Sequence, residues 1–152
     1  MARVFIPTEL RRLVANRAQG RCEYCLVHQD DTETSHHVDH LVAIKHGGAT
    51  ASHNLALACQ LCNHYKGSDL AAIDPESGET TPLFNPRTQV WTEHFRLVGA
   101  YIDGLSATGR ATIQLLRMND EARLIDRRAL LEAGRYAAIA QESDLPGIPD
   151  DA

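Results

Sequence analysis

No apolar run in the 152 residues approaches the ~20 needed to span a bilayer. The amino terminus, MARVFIPTELRR, has a three-residue apolar run and then turns polar, so it predicts no secretory signal. A reducing, cytoplasmic setting is therefore expected. Lysine is scarce, with two residues against thirteen arginines, and the net charge is −5. Such a balance argues against a protein that coats nucleic acid through general positive charge. Internal repeats are lacking, and so is a linker that would divide the chain. One domain over residues 1–140 is expected, followed by an acidic Pro/Gly-rich flexible tail at 141–152.

The remaining charge is unevenly spread. Residues 1–21 hold five arginines against one glutamate, whereas the last eleven residues hold four acids and no base. The body is thus near neutral with a basic amino-terminal face. The apolar fraction of 43% and charged fraction of 23% suit a globular domain large enough for its own core.

Pro7-Thr8 followed by ELRRLVANRAQG predicts an amphipathic helix stopped near Gly20. Residues 35–42 read as a short strand, 45–53 as a Gly-Gly-containing loop and 54–58 as a second strand. A helix follows from about Gln60 and is expected to fade near Ile73. Asp74-Pro75-Glu76-Ser77-Gly78 signals a turn, and Pro82 and Pro86 keep the next stretch out of helix. Two short strands around Gly99 and two helices, 106–118 and 120–136, complete an expected α+β fold. The ββα centre would lie at about 35–73 and the carboxy-terminal extension at about 80–138.

All four cysteines fall in two Cys-x2-Cys pairs, Cys22/Cys25 and Cys59/Cys62. That spacing supplies four thiolates for one tetrahedral Zn²⁺. A closed four-thiolate shell leaves no open coordination position, so the expected role is structural. The ion would tie the end of the first helix to the start of the ββα helix.

A second constellation begins between the pairs and ends just after the second. Asp39 precedes His40, with Asn54 and Asn63 further along. Histidine accepts a proton near neutral pH, which suits it to activate a water. Asp39 offers a hard carboxylate oxygen for Mg²⁺ or Mn²⁺, and Asn63 offers an amide oxygen early on the next helix. Lys66, at i+3 from Asn63, shares its helix face and could meet a phosphate. His46 beside the glycine pair, and Arg21, are further candidate nucleic-acid contacts. Each residue also has a plainer reading, as a turn, strand-end or capping residue; the joint spacing with the cysteines favours a site. His36 and His37 read as strand or groove residues, and His64 turns about 100° away from Asn63. Arg87, Trp91 and Phe95 read as packing and hydrogen bonding, and Arg127-Arg128 as a solvated helix face.

At these residues the sequence resembles the HNH endonucleases, with His40, Asn54 and Asn63 as the three motif letters. The third is Asn instead of His, a variant that leaves the preferred metal open. The stretches RRLVANRAQGRCEYC and CNHYKG resemble zinc-stapled bacterial members, as does the extension LFNPRTQVWTEHF followed by GRATIQLLRMN. Together these stretches span roughly residues 7–130. The resemblance implies a ββα-metal fold, His40 as general base, Asp39 and Asn63 as metal ligands and Asn54 as a brace for the loop and His40. It also implies nucleic-acid cleavage, most simply of DNA, leaving 5′-phosphate and 3′-hydroxyl ends. Two alternatives stay open: a non-catalytic zinc module that binds nucleic acid or protein, and an interaction domain built on the last two helices. Oligomeric state is not readable.

Overall fold

A computed structural model describes residues 5–136; the acidic tail lies outside them. Helix α1 (Thr8–Arg17) begins directly after Pro7, whose fixed φ suits a helix entry. The chain leaves it through Gln19 and Gly20, both at positive φ. Strand β1 (His37–His40) pairs antiparallel with β2 (Leu55–Ala58), His40 facing Leu55 and Asp39 facing Ala56. Helix α2 (Gln60–Lys66) follows at once, which gives the expected ββα order.

The helix ends earlier than the sequence predicted. Gly67 closes α2, and residues 71–73 form β3 (Ala71–Ile73), paired with β4 (Thr80–Pro82) across the turn after Asp74. A short apolar run such as LAAI has no periodicity of its own, so its state is set by a partner strand nine residues later. After β4 come a single turn, α3 (Trp91–His94), then the hairpin β5 (Phe95–Val98) and β6 (Tyr101–Gly104). Helices α4 (Ala107–Leu116) and α5 (Glu121–Glu132) close the described chain. Ser106 caps α4 by accepting the Gly109 N–H at 3.0 Å.

The three hairpins are separate two-stranded sheets, so none can stand alone and each needs cover. The principal core runs from the four cysteines and Tyr24 through Leu41 to Phe84, Phe95, Ile102, Leu116 and Met118. It joins the ββα centre to the carboxy-terminal extension. A second cluster of Ile6, Val14, Leu55 and Leu57 fastens α1 to the other side of β2.

The free edge of β2 is also covered. Glu23 N–H donates to Leu57 O (2.8 Å), and the Glu23 carboxylate accepts the Leu57 N–H (2.9 Å). Arg17 and Arg87 both donate to Leu55 O, at 2.8 and 3.0 Å, and Arg87 pairs with Glu23. Side chains from the first helix, the cysteine knuckle and the extension thus stand where a third strand would otherwise be needed. Trp91 donates its indole N–H to Tyr24 O (2.8 Å) and packs on Phe95, so this segment does serve packing and hydrogen bonding.

Candidate active site and four-cysteine centre

The cysteine centre is built by two tight turns. In each, backbone N–H groups point at sulfur: Tyr24 and Cys25 donate to Cys22 Sγ, and Cys62 donates to Cys59 Sγ, all at 3.4 Å. The four sulfurs lie within 4.8 Å of one another and all four residues are buried. Cys25 and Cys59 Sγ are 3.7 Å apart. Four bonds of ~2.3 Å to one tetrahedral ion imply edges of about 3.8 Å, so the cage fits zinc. Burial pushes the Cys22 and Cys62 thiols up, while hydrogen bonding to the Cys22 sulfur holds Cys25 and Cys59 down.

A cation from the extension faces this cage. Arg123 Nη2 lies 3.2 Å from Cys62 Sγ, while Nη1 donates to Leu116 O at 2.7 Å. Burial alone would weaken the Arg123 charge, but the surrounding thiolates outweigh it and hold the guanidinium protonated. Arg127, one turn on, is also buried; it donates to Ala100 O (2.7 Å) and Met118 O (2.6 Å). The solvated face predicted for Arg127-Arg128 therefore holds for exposed Arg128 alone. Meanwhile Ile125 of the same helix is exposed. This helix turns arginines inward because the buried groups awaiting it are carbonyls and sulfurs, which need donors.

The second constellation sits at the other end of α2. Alternation along β1 sends Asp39 and His40 to different sides. Asp39 turns inward, where Lys66 of α2 meets it with Nζ 3.0 Å from Oδ2. The two form a buried ion pair, and beyond Lys66 no donor among the described residues reaches Oδ2. Burial pushes the Asp39 carboxyl up, and the Lys66 ammonium only partly offsets the rise. A buried carboxylate whose one counter-charge is an ammonium offers oxygens of the kind a hard metal ion takes. Asn63, half-exposed, lies one turn before Lys66 on the same helix.

His40 turns to the loop, where its Nε2 lies 2.9 Å from Thr50 Oγ1. The loop itself is held by Asn54. Its Nδ2 donates to Val42 O (2.9 Å) and Ala49 O (2.8 Å), and its Oδ1 accepts the Val42 N–H (2.9 Å). These bonds brace the loop, one part of the role the family resemblance implies; none of them reaches His40. The brace needs glycine at 48. A Cβ there would stand 1.8 Å from Val42 O and 2.8 Å from Asn54 Nδ2. Gly48→Ala is accordingly expected to cost about 2–3 kcal/mol, read as a lower thermal midpoint of the zinc-loaded protein. An unshifted midpoint would show that the loop is not held this way.

Residues 22–69 match the family model for HNH endonuclease. No curated protein and no solved structure matches the chain. The HNH segment includes both cysteine pairs, β1, β2 and α2, while α1 and everything from β3 onward lie outside it. The family is in general one of nucleases, and it gives the Asp39-His40 strand and its loop a chemical reading.

The structure brings Asp39, Lys66, His40 and Asn54 around one strand end. It places the other expected contacts elsewhere. Lys66 is only 3% exposed, spending its ammonium on Asp39 and on the carbonyls of His40 (3.2 Å) and Leu41 (3.4 Å). As it stands it presents no cation to a phosphate, contrary to the sequence expectation; burial of its long stem along α2 carries the charge inward. Arg21 lies at the cysteine knuckle, donating to Leu26 O (3.0 Å) and Arg135 O (3.4 Å). His46 is exposed on the 3-10 turn Ile44–His46. Thr50 and Arg123 were missed by sequence reasoning. Thr50 carried no signal, whereas Arg123 and Arg127 form an i, i+4 pair that could equally mark an inward-facing stripe.

Proposed function

We propose that the protein is a divalent-metal-dependent endonuclease that hydrolyses phosphodiester bonds, most directly in DNA, leaving 5′-phosphate and 3′-hydroxyl ends. The observation that carries this reading is the buried carboxylate of Asp39, met by Lys66 alone, next to a histidine held by Thr50 in an Asn54-braced loop.

In this reading His40 donates from Nε2 to Thr50 Oγ1, which leaves the Nδ1 lone pair to take a proton from the attacking water. Thr50 fixes the ring angle, and Asn54 with Gly48 fixes the loop that carries Thr50. Asp39 and Asn63 would hold the Mg²⁺ or Mn²⁺. Bound there, that ion would supply positive charge to the phosphoryl group as charge develops on it. Zinc in the cysteine cage would hold the start of α2 in place, and through it Asn63 and Lys66.

The test is nicking of supercoiled plasmid by the zinc-loaded protein with Mg²⁺ or Mn²⁺, beside Asp39→Asn. Metal-dependent nicking is expected in the wild type and a loss of about 100-fold or more in the variant. Equal rates in both would remove Asp39 from the centre.

A second reading has its own support. Arg17, Arg21, Arg87, Arg123, Arg127 and Lys66 are all spent on internal partners, which leaves few cations for phosphates. A zinc module that works on a protein partner, or a nuclease that receives its DNA from one, fits this economy of charge. A folded, zinc-loaded wild type that never cleaves would favour the module.

A further inference from the structure

Lys66 is the one residue of the strand-end cluster whose position opposes the chemistry just proposed. A buried ammonium and a divalent ion would be like charges drawn to the same carboxylate. In the structure the ammonium lies 3.0 Å from Asp39 Oδ2 and takes two carbonyl oxygens besides, His40 O at 3.2 Å and Leu41 O at 3.4 Å. Carboxylate and carbonyl oxygens converging on one buried positive charge are the environment that a hard cation also seeks.

We propose that Lys66 is a built-in competitor for the divalent ion at Asp39. Its ammonium neutralises the carboxylate while the centre is metal-free, and it lowers the affinity of that centre for the ion. The proposal rests on the reading of Asp39 as a metal ligand. It goes beyond that reading by giving the protein a means of staying folded and unreactive when divalent ions are scarce. Two consequences separate it from an ordinary structural ion pair. Removing the ammonium strengthens metal binding, where loss of a merely structural contact would weaken it or leave it alone. It also makes folding stability depend on the ion, because Asp39 then lies buried with no counter-charge unless the metal supplies one.

The experiment is a Mn²⁺ titration of zinc-loaded wild type, Lys66→Met, Lys66→Gln and Asp39→Asn, followed by calorimetry and by the spin signal of free Mn²⁺. Thermal midpoints are taken with and without Mn²⁺. Lys66→Gln guards against misfolding, since its amide retains a donor for the His40 and Leu41 carbonyls. The expected result is a Kd at least about tenfold tighter in both Lys66 variants than in wild type. Both should also show a larger rise in midpoint on adding Mn²⁺, and binding should be absent in Asp39→Asn. A variant that folds only when Mn²⁺ is present supports the proposal just as directly.

Wild type that binds through Asp39 with Lys66 variants that bind no more tightly would overturn the competitor role and leave the metal centre standing. Lys66 variants that fold neither with nor without Mn²⁺ would also overturn it, by showing the pair to be structural. Absence of Mn²⁺ binding in wild type and in folded Lys66 variants alike would bring down the metal reading itself, and this proposal with it.

Discussion

His40→Ala should reduce nicking of supercoiled DNA by roughly 10²–10⁴-fold, the contribution of a positioned general base. Its zinc content and thermal transition should stay near those of wild type. The separation is possible because His40 is half-exposed at the end of β1, and its ring is bonded to Thr50 instead of the core. Substitution therefore leaves neither a large cavity nor a buried orphan. Thr50→Val offers a finer test on the same chemistry. It keeps the shape of the loop but removes the oxygen 2.9 Å from Nε2. Turnover should fall about tenfold with little change in KM, because an unanchored ring spends less time aligned. Undiminished cleavage by His40→Ala would assign the base elsewhere. A change confined to KM in Thr50→Val would make that threonine a substrate contact.

Loss of zinc is expected to have the largest effect on folding. The four cysteines are part of the principal core, in contact with the layer that carries Tyr24, Leu41, Phe84, Phe95 and Leu116. Apparent binding free energies of structural four-ligand zinc sites are ~10–16 kcal/mol, against a total stability of about 5–15 kcal/mol for an ordinary domain. Cys59→Ser, or chelation of the wild type, should therefore abolish the cooperative thermal transition. It should also scatter the near-ultraviolet signal of Trp91, which reaches the knuckle through Tyr24 O. Acid should act in the same direction, since protons compete with the ion for thiolates. A sharp transition surviving complete zinc removal would show that the hydrophobic layer holds the fold alone. Arg123 gives the effect its reach: with Nη2 3.2 Å from Cys62 Sγ, collapse of the cage strands a buried guanidinium and so loosens α5 as well.

The parts legible in the sequence are those encoded by local spacing. Two Cys-x2-Cys pairs suit knuckles whose sulfurs point one way, and the four sulfurs come together as expected. The Asp39-His40 pair, the glycines before Asn54 and the apolar run after it set a strand, a loop and a strand. Each is specified within a few residues by alternation or by a steric need, as at Gly48. Asn54 was readable for the same reason, because its partners Val42 and Ala49 lie within twelve residues.

Tertiary structure decided what buried charge does. Lys66 finds Asp39 across 27 positions, Arg123 finds Cys62 across 61, and Arg87 finds Leu55 O across 32. On the sequence Lys66 and Arg123 look like surface cations, and Arg87, though read as a packing and hydrogen-bonding residue, has no legible partner, because nothing within a helical turn tells which face will be covered. The same limit applies to β3, whose four-residue apolar run becomes strand only because β4 returns beside it. Local spacing carries geometry over a few ångströms of chain. The destination of a long charged side chain depends on which orphaned acceptor the completed fold leaves within its reach, and that is fixed only when distant segments pack.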